Sequence, residues 1–203
     1  SYGNFPKEPL PAGALIGINP ESDSQELQRE LVSLGIPVIR FRSDAQTPVK
    51  NFIPHIAHDS LAGARLAVDH FAERNYKSVG CVTGAVRGGL RKTYDEFANR
   101  AKELGLTYNE FTFKNDVKKG SKGRLERRTE AFAKWVATCP KPLGILTYNR
   151  AAASLCNFCH FASIKVPEEV AILANNYERS LCAVAPVPLS GVAFSNRKLA
   201  QEA

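Results

Sequence analysis

Short apolar runs alternate with segments of helical periodicity along most of the chain, and this alternation is the strongest limit on the fold. Residues 14–18, 78–84, 143–147 and 170–174 are almost continuously apolar, whereas residues 60–71 repeat apolar side chains at helical spacing. Continuous apolar strands, as opposed to strands that alternate apolar and polar residues, are typical of parallel sheets covered by helices on both faces. The sequence therefore predicts an α/β protein with parallel sheets.

Composition narrows the class of protein. A hydrophobic share of 44% excludes disorder as the main state. No apolar run is long enough for a transmembrane helix, and no basic-then-apolar leader opens the chain. Five cysteines, an odd number, fit a reducing compartment better than a disulfide framework, so we expect a cytoplasmic protein. The net charge of +7, from 27 basic and 20 acidic residues, permits contact with a polyanion without indicating one.

Polar residues follow several of the predicted strands, and these are the candidate ligand contacts. In open parallel sheets, ligands bind outside the carboxyl ends of the strands. Asp59 and the segments 84–91, 147–150 and 175–179 all lie just past a predicted strand.

Three local motifs suggest other chemistry. Residues 156–160, with the sequence CNFCH, match the spacing of a c-type haem attachment site, but two core cysteines and a surface histidine fit a buried helix better. A zinc site there needs two further ligands. Residues 87–89 suggest phosphate binding but lack the P-loop ending, and the basic stretch 114–128 is more typical of a solvated segment. We predict no cofactor, no metal and no catalytic residues.

Two stretches resemble a known family. Residues 58–84, HDSLAGARLAVDHFAERNYKSVGCVTG, and the run IKVPEEVAIL at residues 164–173 are similar to the ligand-sensing core of LacI/GalR-type repressors. These repressors share the type I periplasmic-binding-protein-like fold, which has two Rossmann-like lobes. The resemblance covers about residues 12–203. Within this family, the amino-acid sequence of the chain is most similar to the xylose-operon regulators, which join such a sensor to a C-terminal AraC-type DNA-binding domain.

The resemblance implies an arrangement of domains. Residues 1–77 would form a partial N-lobe joined by residues 193–203, and residues 78–192 would form the C-lobe. The opening strand–helix–strand of the N-lobe and the DNA-binding domain would be missing from this chain. The expected partners are a small effector, most simply a sugar bound between the lobes, and operator DNA contacted through the missing domain. A homodimer is a further partner that the resemblance allows, and no membrane contact is expected.

The same resemblance implies five ligand contacts. Asp59 matches an acidic residue at the rim of the N-lobe, while Asn149 and Asn176 stand where the family has aspartates. Arg91 lies two residues before the position of the family's arginine, and Tyr177 follows Asn176. Asp59 and the two asparagines would hydrogen-bond hydroxyl groups, Arg91 would donate, and Tyr177 would cover a ring face. An asparagine both donates and accepts, whereas an ionised aspartate only accepts, so these differences bear directly on the ligand.

Three functional hypotheses follow. The first is an effector-binding domain of a bacterial transcription regulator that controls a sugar-utilisation operon through ligand-dependent lobe closure. The second is a periplasmic solute-binding protein of the same fold. The third, an enzyme on a doubly wound sheet, ranks last because the sequence contains no catalytic set.

Overall fold

A computed structural model describes residues 11–17, 23–42, 54–83, 89–113 and 123–201. Helices and strands alternate as the sequence predicts, with two strands in succession only at β2 and β3. In chain order the elements are β1 (Ala14–Gly17), α1 (Asp23–Ser33), β2 (Val38–Arg42), β3 (His55–Ala57), α2 (Ser60–Glu73), β4 (Ser78–Thr83), α3 (Gly89–Glu103), β5 (Thr107–Thr112), α4 (Arg124–Thr138), β6 (Leu143–Tyr148), α5 (Asn149–Phe161), β7 (Val170–Asn175), α6 (Arg179–Cys182), β8 (Ser190–Val192) and α7 (Asn196–Gln201).

The larger sheet has five strands in the order β5-β4-β6-β7-β8, and every pair is parallel. All six residues of β4 are buried, as are the first five residues of β6. Helices cover both faces of these central strands, which explains why their sequences are continuously apolar. The predicted α/β class with parallel sheets is confirmed.

The smaller sheet contains β1, β2 and β3, again all parallel. Its buried apolar cluster has four members, Ile16, Leu31, Ile36 and Val38. Leu31 comes from α1, whose apolar side chains therefore pack against this sheet.

The chain divides into two compact units. The first unit comprises Ser1–Asp59 with Ser195–Ala203, and the second comprises Ser60–Phe194. The boundary predicted from the sequence lies after residue 77, so α2 falls on the other side of the observed one. The physical reason is that Val68 and Phe71 of α2 share a core cluster with Val79 of β4. Helical periodicity shows that α2 has an apolar face, but it does not show which sheet that face covers. The assignment of these segments to the lobes of the family stays a prediction.

Two apolar clusters cover the two faces of the five-stranded sheet in the second unit. One joins α2 and α3 to the sheet, and the other joins α4 and α5 to it. Packing is close enough that a Cβ added to Gly144 of β6 would lie 2.5 Å from Cδ1 of Phe71. Helices therefore cover both faces of the sheet, so a ligand can reach it only at the strand ends. In open parallel sheets, ligands bind at the carboxyl ends.

Within the described ranges, no helix combines the length and the apolar character that crossing a membrane requires.

Candidate functional site

The strand order reverses at β4. β5 lies on one side of β4 and β6 lies on the other, so the chain crosses over between these two strands. Ligands of open α/β sheets bind at such a reversal, outside the carboxyl ends of the strands. The described residues at this edge include Thr83 at the end of β4, Asn149 after β6 and Asn175 at the end of β7.

Asn149 is the first residue of α5 and is only 3% exposed. Its Oδ1 accepts a hydrogen bond from the backbone N–H of Arg150 at 2.6 Å. The amide oxygen is therefore engaged at the start of the helix, and the amide NH2 is the part of Asn149 that can donate to a ligand. Tyr148, which precedes it in an extended conformation, keeps about 40% of its surface exposed.

β7 ends at the polar residue Asn175, and Asn176 and Tyr177 follow it directly. Asn176 has a φ of 59°, a left-handed conformation that asparagine tolerates better than most residues. The N–H of Tyr177 then donates to the carbonyl oxygen of Val192 at 2.7 Å. This bond fixes the turn, so Asn176 and Tyr177 are held at the strand end in a half-buried position.

Hydroxyl groups lie at the ends of the neighbouring strands, where Thr83 and Thr147 are buried and Thr112 is exposed. The Oγ1 atoms of Thr83 and Thr112 lie 2.7 Å apart, and Oγ1 of Thr147 donates to the carbonyl oxygen of Val82 at 3.0 Å. Tyr94 of α3 is 1% exposed, and burial raises the pKa of its hydroxyl, so the group stays neutral. Neutral hydroxyls and amides therefore provide the polar groups of this region.

The structure places three of the five predicted ligand residues, Asn149, Asn176 and Tyr177, just past the carboxyl ends of the adjacent strands β6 and β7. Arg91 lies elsewhere. Its guanidinium pairs with Glu110 at 2.6 Å and with Asp95 at 2.8 Å, and these carboxylates raise its pKa. Glu110 is opposite Cys81, in the middle of β4, so Arg91 lies along the outer strand of the sheet. Its role as a ligand contact stays a prediction.

Asp59 is exposed, belongs to the first compact unit and directly precedes α2, which begins the second unit. Aspartate is one of the residue types favoured immediately before a helix, because its carboxylate accepts hydrogen bonds from N–H groups of the first turn. Asp59 therefore has a structural reason to occupy this position, and its predicted contact with a ligand stays untested.

Two buried polar residues are not among the five predicted ligand contacts, although one of them, Asn175, lies in the segment 175–179 that was predicted from the sequence as a candidate. Ser60 is 6% exposed and Asn175 is 4% exposed. In the part of the chain that the structure describes, Oγ of Ser60 and Oδ1 of Asn175 have no hydrogen-bond partner. A signal was present for Asn175, since an amide in the last position of an otherwise apolar strand is unusual.

The structure describes the CNFCH motif and part of the Arg-Gly-Gly and basic motifs, and the described parts have a structural explanation. Cys156 and Cys159 are buried in the core, and burial raises their thiol pKa values to about 11 and about 12, which keeps both protonated. No group of three or more His, Cys, Asp or Glu side chains that could hold a metal occurs among the described residues. Arg87 and Gly88 lie outside the described residues, as does most of the basic stretch. Within that stretch, the Arg128 guanidinium lies 5.3 Å from the ring centroid of Phe113.

Comparisons with known proteins agree with the fold described above. The sequence profile of the periplasmic binding protein-like domain matches residues 68–203, more than half of the chain. Among curated proteins, none matches the chain.

Solved structures share its fold at low identity. A periplasmic binding protein/LacI transcriptional regulator from Alkaliphilus metalliredigens, complexed with D-xylulofuranose, is 20% identical with a TM-score of 0.63, and the match covers 94% of this chain and 66% of that one. A LacI family regulator from Enterococcus faecalis with bound ribose is 19% identical with a TM-score of 0.68, covering 95% and 66%. The xylose-binding transcription activator xylR is 17% identical with a TM-score of 0.68, covering 93% and 50%.

The chain spans less than two thirds of the length of these three proteins. At identities this low, the TM-scores show a common fold and no more. That fold is the type I periplasmic-binding-protein-like arrangement of parallel sheets. Because the family profile covers more than half of the sequence, this chain belongs to the periplasmic binding protein-like domain family.

Proposed function

We propose that this chain is the effector-binding domain of a bacterial DNA-binding transcription regulator, and that its effector is a sugar of pentose type. The observation that carries the proposal is the set of neutral polar side chains at the carboxyl ends of β6 and β7. Asn149, Asn176 and Tyr177 offer amide and phenol groups, which hydrogen-bond hydroxyls without requiring a charge on the ligand. No catalytic step is assigned to these groups.

The fold neighbours support the choice of ligand. One of them is complexed with D-xylulofuranose, another has bound ribose, and a third is a xylose-binding activator. Xylose is the specific sugar that we propose. Control of a sugar-utilisation operon, the cytoplasmic location and ligand-dependent lobe closure belong to the same proposal. Effector binding would shift a conformational equilibrium only by the difference between its affinities for the two states.

The test is a thermal-shift and calorimetric screen of the full-length protein against D-xylose, D-ribose and other aldoses. A ligand that binds only the native state at a hundredfold excess over Kd stabilises it by about 2.7 kcal/mol. We expect at least one pentose to raise the Tm. A protein that melts cooperatively but responds to none of the sugars would contradict the proposal.

A matched pair of variants locates the site. Asn176→Gly removes the amide but keeps the left-handed backbone, since glycine adopts positive φ without strain. Asn75→Gly makes the same change at a φ of 63° in the turn between α2 and the start of β4, away from the carboxyl ends of the strands. We expect Asn176→Gly to weaken sugar binding about tenfold and Asn75→Gly to leave it unchanged, a difference of about 1.4 kcal/mol in binding free energy. Equal effects of the two changes would place the ligand elsewhere.

A DNA-binding assay separates the regulator from the alternative, a periplasmic solute-binding protein. We expect the full-length protein to bind a fragment of its own promoter region with an affinity that depends on the sugar. Sugar binding without any DNA binding would favour the solute-binding protein.

A further inference from the structure

Ser60 and Asn175 are polar residues buried to more than nine tenths whose side-chain oxygens lack a hydrogen-bond partner in the described structure. Buried polar atoms are nearly always paired in folded proteins, because leaving one unpaired costs free energy. Two such atoms near one end of the same sheet therefore require an explanation.

The two residues lie on the same face of the five-stranded sheet. Side chains alternate along a strand, and Leu173 of β7 packs in one cluster with Ala64 and Val68 of α2. Asn175 is two residues further along β7, so it is placed on the face that α2 covers.

The neighbouring strand gives the same placement. Asn175 pairs in register with Val192 of β8, and paired residues of adjacent strands point to the same face. A Cβ added to Gly63 of α2 would lie 3.3 Å from Cγ1 of Val192. Ser60 precedes Gly63 by three residues and so lies near the same face of the helix. The first turn of α2 and the end of β7 therefore bring Ser60 and Asn175 to one region of the second unit.

The chemistry of the two atoms limits what can fill that region. The amide oxygen of Asn175 only accepts, so its partner must carry a hydrogen. The hydroxyl of Ser60 donates or accepts. A sugar hydroxyl can donate to one group and accept from the other at the same time, whereas a deprotonated phosphate or carboxylate oxygen cannot donate to Asn175.

We propose that Ser60 and Asn175 bind a hydroxyl group of the effector. This inference rests on the proposed function, and it adds two contacts to those expected from the family. It predicts that both side chains contribute more to effector affinity than to the stability of the sugar-free protein, because no protein group in the described structure pairs with their oxygens.

The test uses Asn175→Leu and Ser60→Ala in the full-length protein, with D-xylose and D-ribose as probes. We expect the sugar-free Tm of each variant to equal or exceed that of the wild type, since an unpaired polar atom has been removed. Calorimetry should show that each variant binds the pentose at least tenfold more weakly than the wild-type protein does. Ser60→Ala is the smaller change, and it decides the question if Asn175→Leu does not fold.

Ser78→Ala is the matched control. Ser78 is fully buried at the opposite end of β4, and its Oγ accepts a hydrogen bond from Nδ2 of Asn109 at 3.0 Å. Its removal leaves the Asn109 amide without this partner, so we expect a lower Tm and an unchanged affinity for sugar.

Three results would overturn the inference. Unchanged sugar affinity in both Asn175→Leu and Ser60→Ala would show that neither residue contacts the effector, although the proposed function would stand. A loss of Tm as large as that of Ser78→Ala would show that the two residues have a structural role. A wild-type protein that binds neither pentose would remove the proposed function and this inference together.

Discussion

The five cysteines illustrate how burial decides chemistry at the scale of single residues. All five are free and buried, and burial raises the thiol pKa of Cys81, Cys139, Cys156 and Cys159. A thiol reacts as its thiolate, so a raised pKa and restricted access both slow its modification. We expect no rapid reaction of the native protein with a thiol-specific chromogenic disulfide at pH 8, and reaction of all five thiols after unfolding in guanidinium chloride. A thiol that reacts rapidly in the native protein would show that a part of the core opens.

The candidate site shows how far single residues could be predicted from the sequence. Asn149, Asn176 and Tyr177 follow recognisable apolar strands, and the carboxyl ends of parallel strands share one edge. The partner of Arg91 could not be predicted, because Glu110 is 19 residues away and meets it only after β5 pairs with β4. The burial of Ser60 depends on tertiary packing in the same way.

At the scale of elements, a network of ion pairs joins α2 to α3. Arg65 of α2 pairs with Glu96 at 2.7 Å and with Glu103 at 2.9 Å. Arg100 of α3 pairs with Asp69 at 2.8 Å and with Glu103 at 2.9 Å. Hydrogen bonds from Arg100 and then Arg65 lower the pKa of Glu103. Glu103 is therefore the carboxylate that both arginines share.

Glu103→Gln tests this network through pH. A carboxyl group whose pKa is lower in the folded state stabilises that state above its unfolded pKa, about 4.3 for glutamate, and the contribution disappears as pH falls through the folded value. We expect the variant to unfold at a lower urea concentration than wild type at pH 7, and the difference to narrow as pH falls below about 4.

Glu130→Gln is the control for the network. Glu130 forms an exposed pair with Lys134 on α4, and such pairs contribute little to stability because solvent screens them. We expect a smaller effect at pH 7 from this change. A difference between Glu103→Gln and wild type that did not depend on pH would contradict the electrostatic explanation.

Most elements could be predicted because the buried strands are continuous apolar runs and the amphipathic helices repeat apolar residues at helical spacing. α6 was missed because four residues are too few to show helical periodicity. Strand order could not be predicted, since nothing in the local pattern shows that β6 crosses to the far side of β4. The same limit applies to α2, whose partner sheet is a tertiary property.

At the scale of the whole molecule, the two compact units have cores of very different size. The second unit has an apolar cluster on each face of a five-stranded sheet, whereas the described cluster of the first unit consists of four residues. The free energy of local opening depends on buried apolar contacts and on the protection of backbone hydrogen bonds. The second unit should therefore open at a higher free energy than the first.

Native-state hydrogen exchange tests this difference in the intact protein. We expect the slowest amides in β4, β6 and β7, which lie inside the sheet, and faster exchange in β1, β2 and β3. Val38→Ala should speed exchange in the first unit only. Leu146→Ala leaves a cavity in the core of the second unit and lowers the free energy of unfolding by about 2–5 kcal/mol. It should therefore speed exchange across the second unit. Equal protection of the two sheets, with both variants accelerating exchange everywhere, would show that the protein unfolds as one cooperative body.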